Sequence, residues 1–137
     1  MIRCAVLMAL LTGLGACAGP LPAACAPGTG SAMAVFTLYM GESIRGGPNL
    51  TAEEWQSFLE TTVTTALPDG YTTLEANGAW LDPETRRTSK EPTKVLIAAM
   101  PDTPESLAAI NRVRFAYQQA FRQQSVGMTV QPACGMF

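Results

Sequence analysis

The sequence predicts an α+β protein, a ferredoxin-like sandwich in which a four-stranded antiparallel sheet carries two helices on one face. Two observations lead there. Segments with strand character and segments with a helical apolar stripe alternate in the order strand, helix, strand, strand, helix, strand. Two βαβ-like halves with right-handed crossovers then interleave into one sheet. The longest apolar runs also fall in the first and third strands, which are central in that topology.

Met33 to Gly47 is the stretch around which the chain is organised. Val35, Phe36, Thr37, Leu38 and Tyr39 are β-branched, aromatic or apolar and suit a pleated surface. With Phe36 and Leu38 toward the helices, Thr37 and Tyr39 point outward. Gly41, Gly46 and Gly47 form a glycine-rich exit. It lacks the lysine and spacing of a phosphate-cradling loop.

Leu50 to Ala66 reads as the first helix. Thr51 and Glu54 have capping-box spacing, and Trp55, Phe58, Leu59 and Thr62 form a stripe that Val63 and Ala66 broaden. The threonines at 61, 62, 64 and 65 make its second half a poor intrinsic helix, so tertiary packing must hold it. Pro68-Asp69-Gly70 ends it. Tyr71 to Leu81 is the second strand, with Asn77-Gly78 a candidate bulge or turn. Asp82 to Pro92 is polar and suits a loop, and Thr93 to Met100 is the third strand.

Thr103-Pro104-Glu105 opens the second helix with a capping hydroxyl and a first-turn proline. Leu107, Ile110, Val113, Tyr117, Ala120 and Phe121 form its stripe, into which Arg114 projects, to snorkel to solvent or pair with a carboxylate. Ser125 to Gln131 is the last strand, with Val126, Met128 and Val130 inward. Trp55, Trp80 and Phe121 are expected in the core.

The 137 residues hold one domain, residues 32–137, behind an exported N-terminus. Met1-Ile2-Arg3 and the apolar run Cys4 to Leu14 form a secretory signal over residues 1–16. Leu14-Gly15-Ala16-Cys17 reads as a bacterial lipobox, with Cys17 the acylated residue. An ordinary cleavable signal with an incidental cysteine is the other reading, and Cys25 is a weaker lipidation candidate. Residues 17–31, with three prolines, form a tether.

Cleavage before Cys17 leaves 121 residues with 8 basic and 11 acidic side chains, a balance of −3. Such a surface excludes nucleic acid as a partner and leaves membrane attachment to acyl chains. An outer-membrane lipoprotein facing the periplasm is the expected location. The remaining cysteines, Cys25 and Cys134, are expected to pair in an exported protein, with free buried thiols as the alternative.

Leu38-Tyr39-Met40-Gly41 with Gly46-Gly47, Glu54-Trp55-Gln56-Ser57-Phe58-Leu59 and Pro68-Asp69-Gly70-Tyr71-Thr72 resemble a family of small bacterial envelope proteins, domain of unknown function 3574. Gly78-Ala79-Trp80, Lys94-Val95-Leu96, and Tyr117 and Phe121 with Gln124-Ser125-Val126 continue the resemblance, from about Phe36 to Phe137. Where the family usually has a serine before the lysine, this chain has Thr93. The resemblance implies a secreted or lipidated domain and brings no catalytic residue.

Histidine is absent, which removes the Ser-His-Asp and Cys-His arrangements and most zinc sites. No catalytic residue, metal or cofactor is assigned. The outward sheet face is the candidate ligand site, with Tyr39, Glu75, Asn77, Thr129 and Gln131 on it, Lys94 near its edge and Arg45 over its mouth. A half-solvated face or a homodimer interface is the plainer reading of the same surface. The leading expectation is a non-enzymatic envelope module that binds a small ligand or a protein. A cofactor-free oxygenase- or isomerase-like enzyme on the open sheet face and a structural homodimer are the alternatives.

Overall fold

The structure is a computed structural model and describes residues 25–44, 47–81 and 85–137. The signal segment 1–16, Cys17, most of the tether and Arg45 lie outside the described residues. Among the described residues, no helix is long and apolar enough to cross a membrane.

Strands β1 (Ser31–Gly41), β2 (Thr72–Leu81), β3 (Thr88–Pro101) and β4 (Gly127–Gly135) form one antiparallel sheet in the order β2-β3-β1-β4. β3 pairs antiparallel with both β1 and β2, so β1 and β2 run parallel with β3 between them. The α+β class is the expected one, and the first and third strands are central. Alternation along β1 sends Ala34, Phe36, Leu38 and Met40 into the core.

Helix α1 runs Ala52–Phe58, passes through a π segment, Leu59–Val63, and closes with Thr64–Ala66. Its capping box forms as expected: the Thr51 hydroxyl accepts the Glu54 amide at 3.2 Å and Glu54 accepts the Thr51 amide at 2.9 Å. The π turn sits in the threonine-rich half. Thr61 and Thr65 hydroxyls there donate to the carbonyls of Ser57 and Thr61, competing with regular helix geometry. The wider turn places Val63, fully buried, where regular spacing puts Thr62.

Helix α2 (Pro104–Ala120) has the expected cap, with the Thr103 hydroxyl accepting the Ser106 amide at 3.2 Å. Ile110, Val113, Tyr117 and Phe121 are buried, but Leu107 is 42% exposed and Ala120 also faces solvent. Ser106 and Ala109 take the inward positions at the start of the helix instead. Trp55, Phe58, Tyr117 and Phe121 meet as one aromatic cluster, with Phe58–Tyr117 centroids 5.4 Å apart and edge-on.

The strand expected over Tyr71 to Leu81 continues through Asn77-Gly78, while the bounds of β3 and β4 and the place of Trp80 are corrected. Asn77-Gly78 is neither bulge nor turn, because its pairing continues through Asn77↔Pro92 and Gly78↔Glu91. β3 begins at Thr88 rather than Thr93, while its pairing with β1 stops at Gly41↔Thr93. Asn77–Leu81 and Thr88–Pro92 therefore form a two-stranded arm beyond the end of β1. Pro92 is tolerated there. Its carbonyl accepts the Glu42 amide at 2.9 Å, so its missing N–H lies on the same side, where β1 has ended. Trp80 rides on this arm and is 50% exposed, outside the core expected for it. β4 also starts and ends later than expected. Val126 is buried just before it, and inward-facing Val130 stays 47% exposed at the sheet edge.

Cys25 and Cys134 form the expected disulfide, with Cα atoms 5.7 Å apart. It joins the segment before β1 to the end of β4, next to the pair Ala32↔Cys134.

Candidate functional site

Cross-strand register sorts the expected site residues onto two faces. Residues directly opposite in a ladder share a face, so the outer face follows from Tyr39↔Val95, Val95↔Leu74 and Tyr39↔Gly127. Thr37, Ile97, Thr72 and Thr129 form the next row, and Val35, Ala99 and Gln131 the one after it. Tyr39, Thr129 and Gln131 are thus on the open face, as expected.

Glu75, Asn77 and Lys94 are not. Lys94 pairs with Met40, an inward residue, and Glu75 pairs with Lys94, so both lie on the helix side of the sheet. The expected grouping of Tyr39 with Glu75 and Lys94 does not form, because the register of β3 against β1 turns Lys94 to the helix side and β2 then places Glu75 opposite it. Arg45 lies outside the described residues.

On the helix side, Lys94 is the centre of a compact ionic cluster. Its ammonium donates to both carboxylate oxygens of Glu75, at 2.6 and 2.7 Å, and stands 3.4 Å from Glu42. It also lies 5.9 Å above the Trp55 ring. Burial by itself lowers the affinity of Lys94 for its proton. The Glu75 hydrogen bonds and the two negative charges outweigh that and hold it above the ordinary lysine range. A lysine held protonated in this way is no general base at neutral pH.

Deeper in, the fully buried Tyr117 donates its hydroxyl to the Gly41 carbonyl at 2.9 Å. Burial, reinforced by Glu42 and Glu91, pushes that hydroxyl well above the usual tyrosine range. Among the described residues Arg114 meets no carboxylate, and its guanidinium is held by the protein rather than extended to solvent. Its Nε and Nη2 donate to the Val126 carbonyl at 3.2 and 2.9 Å and its Nη1 to Asn111, which fastens the α2–β4 connection.

The open face is almost uncharged among its described residues. Glu91 is the one acidic side chain among them, and its carboxylate lies over Gly41, where a Cβ would stand 2.6 Å from it. Tyr39 leans across β4, so that a Cβ on Gly127 would approach its ring at 3.4 Å. Gly78 leaves room for the Thr93 side chain in the same way. Side chains laid across neighbouring glycines fill the pleat, and no sequence signal singled this surface out beyond the alternation of β1.

A shallow groove of about 360 Å³ opens on the helix side, lined by Phe36, Asp102, Thr103, Pro104, Leu107 and Val130. Among the described residues no group of three or more histidine, cysteine, aspartate or glutamate side chains stands ready to hold a metal.

Sheet and helices define an α+β sandwich with one face covered and one open. Residues 36–137 match the family model described as protein of unknown function, DUF3574, and the chain belongs to that family. No curated protein matches the sequence. The fold is similar to a phage SAM lyase in complex with S-methyl-5'-thioadenosine, with 13% identity, a TM-score of 0.57, and coverage of 74% of this chain and 81% of that one. The same kind of phage enzyme in its apo state gives 16% identity, a TM-score of 0.53, and coverage of 78% and 84%. At such identities the likeness shows the fold alone.

Proposed function

We propose that this protein is a lipid-anchored domain of the bacterial cell envelope, attached through Cys17, that acts by binding rather than by catalysis and uses the open sheet face to do so. The observation that carries this reading is the composition of that face. Apolar and threonine side chains dominate it, and among its described residues only Tyr39 and Glu91 can exchange a proton. A surface of this kind offers contact area and shape more than acid–base chemistry. The Cys25–Cys134 disulfide supports an oxidising location, and the lipobox supports the anchor.

The second reading, a cofactor-free enzyme on the same face, draws on the fold shared with the phage lyase and on Tyr39 as a proton carrier. Native mass spectrometry of the protein isolated from its own membranes separates the readings. A non-covalently held second copy, other protein or small molecule, lost in Ile97→Lys, supports the binding function. A bare protomer in both proteins overturns it. A bound nucleoside that is chemically altered on the protein favours the enzyme. Cys17→Ser tests the anchor, and release from the membrane fraction is the expected result.

A further inference from the structure

We infer that the occupant of the open sheet face is a second copy of this chain, docked face to face about a two-fold axis. The inference rests on the reading of that face as the binding surface and names its partner.

Three observations favour a second copy. The first is charge. The chain is acidic overall, at −2, while among its described residues the open face carries only Glu91 as a charged side chain, and that carboxylate is laid over Gly41. Two such faces meet with little repulsion, whereas among these residues a basic partner would find one carboxylate and an anionic headgroup no cation. The second is size. The ladder between β1 and β3 is nine pairs long. At roughly 4.8 Å between strands and about 3.3 Å per residue, the four strands with the arm included cover on the order of 600–700 Å² per copy. Two such faces bury roughly 1,200–1,400 Å², which reaches the range of stable interfaces.

The third observation is the arm. Two-stranded ribbons are marginal in water without a further layer. This one holds Trp80, 50% exposed, on the outer face and beyond the end of β1, so half of its surface is left to solvent. In a face-to-face pair the sheets stack about 10 Å apart, and an arm that overhangs its own sheet can lie across the partner's. A two-fold axis makes the contact reciprocal, so each Trp80 is covered by the other copy.

Sedimentation equilibrium of the purified protein in a neutrally buoyant detergent, valid with or without an acyl chain, tests this directly. Wild type is expected at twice the protomer mass at micromolar concentration. Ile97→Lys, central on the open face, is expected to weaken the dimer at least roughly tenfold, as is Trp80→Ser on the arm. Leu107→Lys on the helix side is expected to leave it intact. Trp80→Ser decides if the circular dichroism of Ile97→Lys departs from wild type. A monomeric wild type, or a dimer indifferent to the folded outer-face variants, overturns the inference. If a monomer still retains another bound mass in the native spectrum, the binding function stands and only the second copy falls. A bare monomer removes both.

Discussion

Tyr117 shows how much one residue carries in this protein. Its ring joins the aromatic cluster between the helices, and its hydroxyl satisfies the carbonyl at the last residue of β1. Tyr117→Phe leaves that carbonyl without its donor and is expected to cost about 1–3 kcal/mol, read from urea unfolding. The same hydroxyl and the Lys94 ammonium set the alkaline limit. Both groups keep their protons more tightly in the folded chain than in the unfolded one. Their stabilisation is complete below the unfolded values, near pH 10, and is lost as pH rises through the folded values. Stability is therefore expected to fall above about pH 10, with a shallower fall in Tyr117→Phe, checked by denaturant midpoints across that range.

At the scale of elements, local signals at helix starts are obeyed and signals inside elements are overridden. The caps at Thr51 and Thr103 form because hydroxyls three residues ahead of free amides need no tertiary help. Thr51→Ala is expected to lower stability by about 0.5–2 kcal/mol by thermal or chemical unfolding. The second half of α1 is different. Its threonines neither favour a regular helix nor end it, and the buried positions of Leu59, Val63 and Leu67 hold the backbone in a π turn. The arm belongs to this scale too. Lys90, Glu91 and Pro92 read as loop in sequence, yet cross-strand pairing with Asn77, Gly78 and Ala79 makes them strand.

At the scale of the whole molecule, the disulfide spans 109 residues and ties together the two ends of the described domain. Constraining so long a loop in the unfolded chain stabilises by up to about 4–5 kcal/mol. Cys25→Ser with Cys134→Ser is expected to lower the unfolding free energy toward that extent, with the fold retained in circular dichroism. The covered face of the sheet holds the core and the Lys94 cluster, and the open face is left for contact. This division places Tyr39 on one side and Glu75 and Lys94 on the other.

What the sequence determined by itself was the alternation of β1, the two helix starts and the order of elements. Each follows from short-range periodicity or from capping chemistry. What only the tertiary structure decided was the phase of β2 and β3 against β1. A shift of one residue in a strand exchanges its faces, and the even mix of apolar and polar side chains along β2 leaves that phase open. Trp80 and Lys94 owe their surroundings to that register. The first is left half-exposed on the arm, and the second is drawn between Glu42 and Glu75 beneath the sheet.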